Sequence, residues 1–306
     1  MKNIAIYNTN NKTIPYFLIV ITTFFWGTNI IAGKLMDGNI PPFTLTFYRW
    51  LIVAIFLFPL TIKELIAKID IIKKYWLVLC GLGLLGIALN TSLIYLALNF
   101  TTALDSALIS ATNPIFIVLV AFIFLKETIS LKKFLGLIIS VLGVVLIISQ
   151  GNAHHLLKLS FNFGDLIMLI AVIIWAFYSL LLKRVPNTIS PLLLLFITTF
   201  FAEIFLLPAT LIENSLGQAM KINVLTISGL FYLAVFPAII GYTSWDIGIK
   251  KLGSATCGVL MNLSPLFSSI MAILFLKEPF HPFHIIGFSL ILLGIFLNLE
   301  INCAKK

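Results

Sequence analysis

Phe124-Leu125-Lys126-Glu127 returns as Phe275-Leu276-Lys277-Glu278, 151 residues further along the chain. Working outward from that tetrapeptide, Pro114 matches Pro265, Gly136 matches Gly287 and Gly143 matches Gly294 at the same offset, each among apolar residues of similar pattern. Trp26 and Trp175 correspond at 149, as expected when one connecting loop differs in length. An offset shared by this many positions is an internal repeat rather than coincidence.

What is repeated is strongly apolar. Of 306 residues, 60% are hydrophobic, 13% aromatic and only 10% charged, and the mean hydropathy is +1.12. A soluble domain carries roughly 25% charged residues, so a water-soluble enzyme of this size is excluded. A bilayer-spanning helix needs ~20 mostly apolar residues, so ten of them take up ~200 and leave only short connections. The apolar stretches predict an all-α membrane protein of ten transmembrane helices. The first five are Pro15 to Leu35, Pro42 to Ile62, Tyr75 to Leu98, Ala103 to Leu125 and Phe134 to Ser149. The second five are Gly164 to Leu182, Pro191 to Ile212, Thr226 to Ile249, Ser254 to Leu276 and Pro282 to Leu299. Turn-forming clusters such as Asp37-Gly38-Asn39 and Val185-Pro186-Asn187 separate them, where water can satisfy the backbone.

An even number of spans puts both termini on one side, and the basic residues decide which. With the amino terminus inside, the inner set is Lys2, Lys12, Lys63, Lys68, Lys73, Lys74, Lys126, Lys132, Lys133, Lys183, Arg184, Lys250, Lys251, Lys305 and Lys306. The outer set is only Lys34, Lys158, Lys221 and Lys277, and Arg49 lies within a span. The positive-inside rule then places both ends in the cytoplasm of a bacterial inner membrane. The formal charge of +9 is thus a topology signal, and no nucleic-acid partner is expected. Five spans per repeat is an odd number, so the second copy enters the membrane from the opposite side. Two inverted five-helix repeats are an architecture of secondary transporters, whose binding site lies near the midplane where the halves meet.

Several motifs carry a resemblance. Trp26-Gly27-x-Asn29, Arg49, Pro114 with the apolar run to Leu125-x-Glu127, and the Gly136 to Gly143 pair resemble the EamA type of the drug/metabolite transporter superfamily. Trp175-Ala176, Pro265, Leu276-x-Glu278 and Gly287 to Gly294 form the second copy. The resemblance extends from about Pro15 to Leu299 and divides the chain into repeats at 1–149 and 164–299, with cytoplasmic tails at 1–13 and 300–306. It implies export or exchange of small metabolites, commonly amino acids or related solutes, through a central cavity of alternating access. It does not single out a substrate.

Charge within the membrane is costly, so an intramembrane ionisable residue is a candidate for function. Arg49 lies seven residues into span two, roughly 10 Å deep, and Glu203 twelve residues into span seven, roughly 18 Å from the other face. The two either pair as a gate or face the cavity, Arg49 meeting a substrate carboxylate and Glu203 a substrate amine or a proton. The plainer reading is that each snorkels or bonds a backbone carbonyl. Trp26 with Asn29, Tyr95, Trp175 with Tyr178, and Tyr242 with Trp245 form a candidate aromatic lining, although Trp and Tyr also anchor spans at interfaces. Asn90, Thr91, Ser110, Asn113, Asn262 and Ser264 either bind solute or bridge helices. Pro114 and Pro265 are expected hinges, since each removes a backbone donor. Asp105 and Asp246 are read as solvated or capping residues near span ends, and Glu127 and Glu278 as structural.

Cys80, Cys257 and Cys303 suit neither a disulfide framework nor a zinc site, and His281 and His284 have no third ligand in sequence. There is no phosphate-cradling loop, so no ATP, metal or other cofactor is expected. The expectation is a secondary transporter, not an enzyme, that exports or exchanges a small organic metabolite. Its partners are that solute, protons or a counter-solute, and the lipid bilayer, and it works as a monomer or homodimer. The alternatives are uptake of a metabolite such as S-adenosylmethionine or a nucleoside, and, from another class, a lipid-carrier flippase or membrane lipid enzyme.

Overall fold

Pro42 and Pro191 each open a long helix, where a missing N–H costs nothing because the first-turn donors have no intrahelical partner. The computed structural model describes residues 13–101, 103–126, 130–149, 151–152, 162–267, 270 and 281–298. Among them there is no strand. Apart from the short helix Ile69–Lys74, the helices of the first half are α1 (Thr13–Met36), α2 (Pro42–Ala67), α3 (Trp76–Leu98), α4 (Ala103–Ser110), α5 (Asn113–Leu125) and α6 (Leu131–Ile148). There follow α7 (Phe163–Leu182), α8 (Pro191–Ser215), α9 (Val224–Leu252), α10 (Ser254–Leu260) and α11 (Pro282–Asn298). Among the described residues six helices, α1, α2, α3, α7, α8 and α9, are long and apolar enough to cross a membrane. Large side chains such as Leu60, Ile66, Leu131 and Ile204 stand exposed along the outer faces. In water such a surface would aggregate; in a bilayer it is the solvated face.

Two departures from a plain bundle matter for the interior. The stretch from Ala103 to Leu125, expected as one span, is two helices broken at Ala111-Thr112, just before Pro114. Pro114 has no N–H with which to continue a straight helix, and the break closes with a tight turn, Thr112 N–H donating to the Ile109 carbonyl at 3.0 Å. The chain breaks again after α10 at Met261-Asn262, with Met261 N–H donating to the Gly258 carbonyl at 3.0 Å. The second departure is a π-helical segment inside α3, Gly83–Leu89, and another inside α9, Ala234–Ile240, which begin 151 residues apart.

Glycines let one helix pair pack closely. A Cβ on Gly143 would lie 2.7 Å from the Gly287 carbonyl oxygen, and one on Gly294 would lie 2.4 Å from that of Gly136. The backbones of α6 and α11 therefore touch, antiparallel, as small residues allow in membranes. The pair α2 and α8 is joined differently. Pro41 at the start of α2 provides no side-chain cap; instead Phe43 N–H donates to Glu213 Oε1 at 3.0 Å, and Thr44 N–H and Oγ1 donate to Oε2 at 2.7 and 2.8 Å. At the other end Ser190 N–H donates to Glu64 Oε1 at 3.0 Å and Ser190 Oγ to Oε2 at 2.5 Å, so a glutamate near the end of each helix caps the start of the other. Lys68 joins the Glu64 cluster and reaches the Thr188 carbonyl.

Candidate functional site

The helix breaks, α1, α2, α3, α7 and α9 surround a cavity of about 120 Å³. A cavity of ~150 Å³ is enough for benzene, so this one suits a solute of a few heavy atoms, or a larger one after modest opening. Trp26, Asn29 and Ile30 enter from α1, Arg49 from α2, Asn90, Thr91 and Ile94 from α3. Ser110, Ala111 and Asn113 come from the first break and Met261, Asn262, Ser264 and Pro265 from the second. Met168 and Trp175 on α7 and Tyr242 on α9 complete the wall. Irregular backbone at membrane depth is tolerated where it lines such a cavity, which accounts for the position of both breaks.

Aromatic rings dominate one side. Trp26 and Trp175 meet edge to face with centroids 5.0 Å apart, Tyr242 lies 5.5 Å from Trp175 and 4.9 Å from Trp50, and Trp245 packs 5.3 Å from Trp26. Hydrogen bonds fix the rings. Trp26 Nε1 donates to the Pro237 carbonyl at 3.1 Å, within the second π-helical segment, and Tyr242 Oη donates to the Gly86 carbonyl at 2.7 Å, within the first. A π-helix leaves carbonyls free of regular α-helical bonding, and here two of them orient cavity side chains.

On the other side Arg49 is 2% exposed. Its Nη1 donates to Asn29 Oδ1 at 3.0 Å and to Tyr95 Oη at 2.5 Å, Tyr95 donates to Asn29 Oδ1 at 3.0 Å, and the guanidinium carbon sits 5.2 Å from the Trp50 ring centre. Asn90 Nδ2 is engaged with the Ala171 carbonyl at 2.8 Å and Asn262 Nδ2 with Ser140 Oγ at 2.9 Å, both helix-bridging contacts, whereas Asn113 Oδ1 has no partner.

Of the residues singled out in sequence, Trp26, Asn29, Arg49, Asn90, Asn113, Trp175, Tyr242, Asn262 and Pro265 line the cavity. Tyr95 sits behind Arg49, and Tyr178 stacks on Trp175 at 4.7 Å while donating to Asp246 at 3.0 Å. Pro114 flanks the first break without lining the cavity. Glu203 stands on α8 outside the lining, makes no ion pair with Arg49, and has neither carboxylate oxygen hydrogen-bonded. Asp246 is 2% exposed, so it is a core residue holding Tyr178 rather than a solvated one. Glu127, Glu278, His154, His155 and Cys303 lie outside the described residues. His284 Nδ1 accepts from His281 N–H at 3.1 Å, a helix cap, and no group of three metal-binding side chains occurs among the described residues. Sequence reading passed over the apolar wall of Ile30, Ile94, Met168 and Met261, which carries no chemical signal, and the capping glutamates Glu64 and Glu213. Their 149-residue separation, the same as that of Trp26 and Trp175, was the available clue.

The model of the EamA-like transporter family matches residues 13–149 and again 162–299. The chain is 27% identical over 281 residues to "Uncharacterized transporter YyaM" of Bacillus subtilis (strain 168), covering 92% of each. It is 26% identical over 291 residues to the "Probable amino-acid metabolite efflux pump" of Escherichia coli (strain K12), covering 92% of this chain and 93% of that one. A solved crystal structure superposes with a TM-score of 0.73 at 19% identity, covering 94% of this chain and 98% of the other.

Proposed function

The chain belongs to the EamA-like transporter family, a multi-pass membrane transporter and not an enzyme, and on that premise we propose that it moves a small organic metabolite by alternating access. The observation that carries this reading is the cavity itself, polar at Arg49 and aromatic at Trp26 and Trp175, built where two interrupted helices meet. The solute is an amino acid or a related metabolite, exported or exchanged across a bacterial inner membrane. The similarity to an amino-acid efflux pump favours that direction. The repeats at 1–149 and 164–299 are inverted, ten spans in all, with both termini cytoplasmic. Support comes from the π-helical segments 151 residues apart and from the reciprocal glutamate caps. Lacking a nucleotide motif, transport draws on a solute or proton gradient, with Glu203 the intramembrane carboxylate best placed to carry a proton. Pro114 and Pro265, flanking the two breaks, act as hinges.

The test is two-sided accessibility. In a cysteine-free chain carrying Ser264→Cys, membrane-impermeant thiol reagents are expected to label the cavity from either face of the membrane, and solute to slow both reactions. Labelling from one face alone would contradict alternating access.

A further inference from the structure

Among the described residues Arg49 has no counter-charge. Its partners Asn29 and Tyr95 are neutral, Glu203 does not reach it, and no Asp or Glu lines the cavity among the described residues. The other buried carboxylates among the described residues are committed: Asp246 accepts from Tyr178, Glu213 caps α2, and Asp165 accepts from Thr101 Oγ1 and the Asn162 N–H. A buried guanidinium is a permanent cation with donors in a planar fork, and leaving it unpaired in a dry interior is strongly unfavourable. A phosphate dianion would need a second cation that the lining does not offer, whereas one carboxylate balances one guanidinium and fits its fork. The facing wall of Trp26, Trp175 and Ile94 suits an apolar or aromatic body.

We infer that the solute supplies the missing charge: the transported class is a small carboxylate with an apolar or aromatic side group, and solutes of net positive charge are excluded. This inference rests on the transporter reading above. It is tested by counterflow in proteoliposomes of the full chain with matched solutes: phenylalanine and 3-phenylpropionate against phenylalanine methyl ester and phenethylamine. Carboxylates are expected to exchange at least about tenfold faster than the ester or amine. Arg49→Gln should abolish that preference, and Arg49→Lys, which keeps the charge and guards against a variant that fails to fold, should retain part of it. Exchange of ester and amine at the carboxylate rate, or an undiminished preference in Arg49→Gln, would overturn the inference while leaving the protein a transporter. Failure of every solute, in a broader panel as well, would instead overturn the transporter reading.

A second, independent observation concerns motion. A gate in an alternating-access cycle is closed at one membrane face while open at the other, yet α2 and α8 are clasped at both ends in a single structure, by Glu213 on Phe43 and Thr44 and by Glu64 on Ser190. The geometry points to α2 and α8 moving as one rigid body, with gating left to the interrupted helices. Spin labels at Leu60→Cys and Leu207→Cys, both exposed, in a chain whose own cysteines are replaced by serine, report the pair by pulsed dipolar distances in liposomes. One narrow distance is expected, broadened in Glu213→Gln. Two populations in the labelled chain that keeps Glu213 would overturn the assignment.

Discussion

Glu213→Gln removes one negative charge from the first turn of α2 without changing the volume of the side chain. Glu213 is 8% exposed and accepts three hydrogen bonds, two from backbone N–H groups that no residue of α2 can satisfy. Glutamine keeps one acceptor oxygen and turns an amide toward Thr44, so one backbone bond is lost and the rest lose their charge assistance. Hydrogen bonds to charged groups contribute ~1.5–3 kcal/mol each, and the helix-terminus field ~0.3–1 kcal/mol, so the expected loss is ~2–3 kcal/mol. At about 2 °C per kcal/mol for a chain of this length, Tm falls by ~4–6 °C. Glu64→Gln removes the matching clasp, but its side chain is 27% exposed beside Lys68, and solvent screening holds the loss to ~1 kcal/mol or less. A thiol-reactive dye follows both, because Cys257 is 0% exposed and reacts only on unfolding once Cys80 and Cys303 are replaced by serine. A Glu213→Gln melt within ~1 °C of the parent, or a larger fall for Glu64→Gln, would refute the capping argument.

Other consequences are open to the same assays. Gly294→Ala puts a Cβ 2.4 Å from the Gly136 carbonyl oxygen and 2.6 Å from Ser140 Cβ, and overpacking of that kind costs ~1–3 kcal/mol, so a melt at or above the parent value would contradict the α6–α11 contact. Asn262→Ala leaves the buried Ser140 hydroxyl without its partner at a cost of ~1–3 kcal/mol, and adding Ser140→Ala should recover part of that; strictly additive losses would mean that the bond contributes nothing. Glu203→Gln should remove the dependence of uptake on an imposed pH gradient, and a persisting dependence would place proton coupling elsewhere.

Six of the expected spans are single long helices among the described residues, legible because apolar runs of this length have one use. Pro42 and Pro191 mark the starts of α2 and α8 in both sequence and structure. Sequence also pointed to much of the cavity wall, since Trp26, Arg49 and Trp175 are unusual at that depth. Depth, however, follows from counting residues, while the direction in which a side chain points depends on how the helix is rotated against its neighbours. Glu203 was counted to the same middle third as Arg49 but lies outside the lining. The π-helical segments shift that rotation partway along α3 and α9, and Asp246, beyond the second of them, turns inward to Tyr178 where a span-end residue would face headgroup water. Glu64 and Glu213 stand out by no local pattern, because their partners lie 126 and about 170 residues away.

The most direct measurement is counterflow of labelled phenylalanine into proteoliposomes preloaded with the unlabelled solute. Transport through an alternating cavity predicts saturable, transient accumulation of label above equilibrium that disappears in Arg49→Gln. Entry no faster than in protein-free vesicles for every solute offered, or linear entry that never saturates, would contradict it.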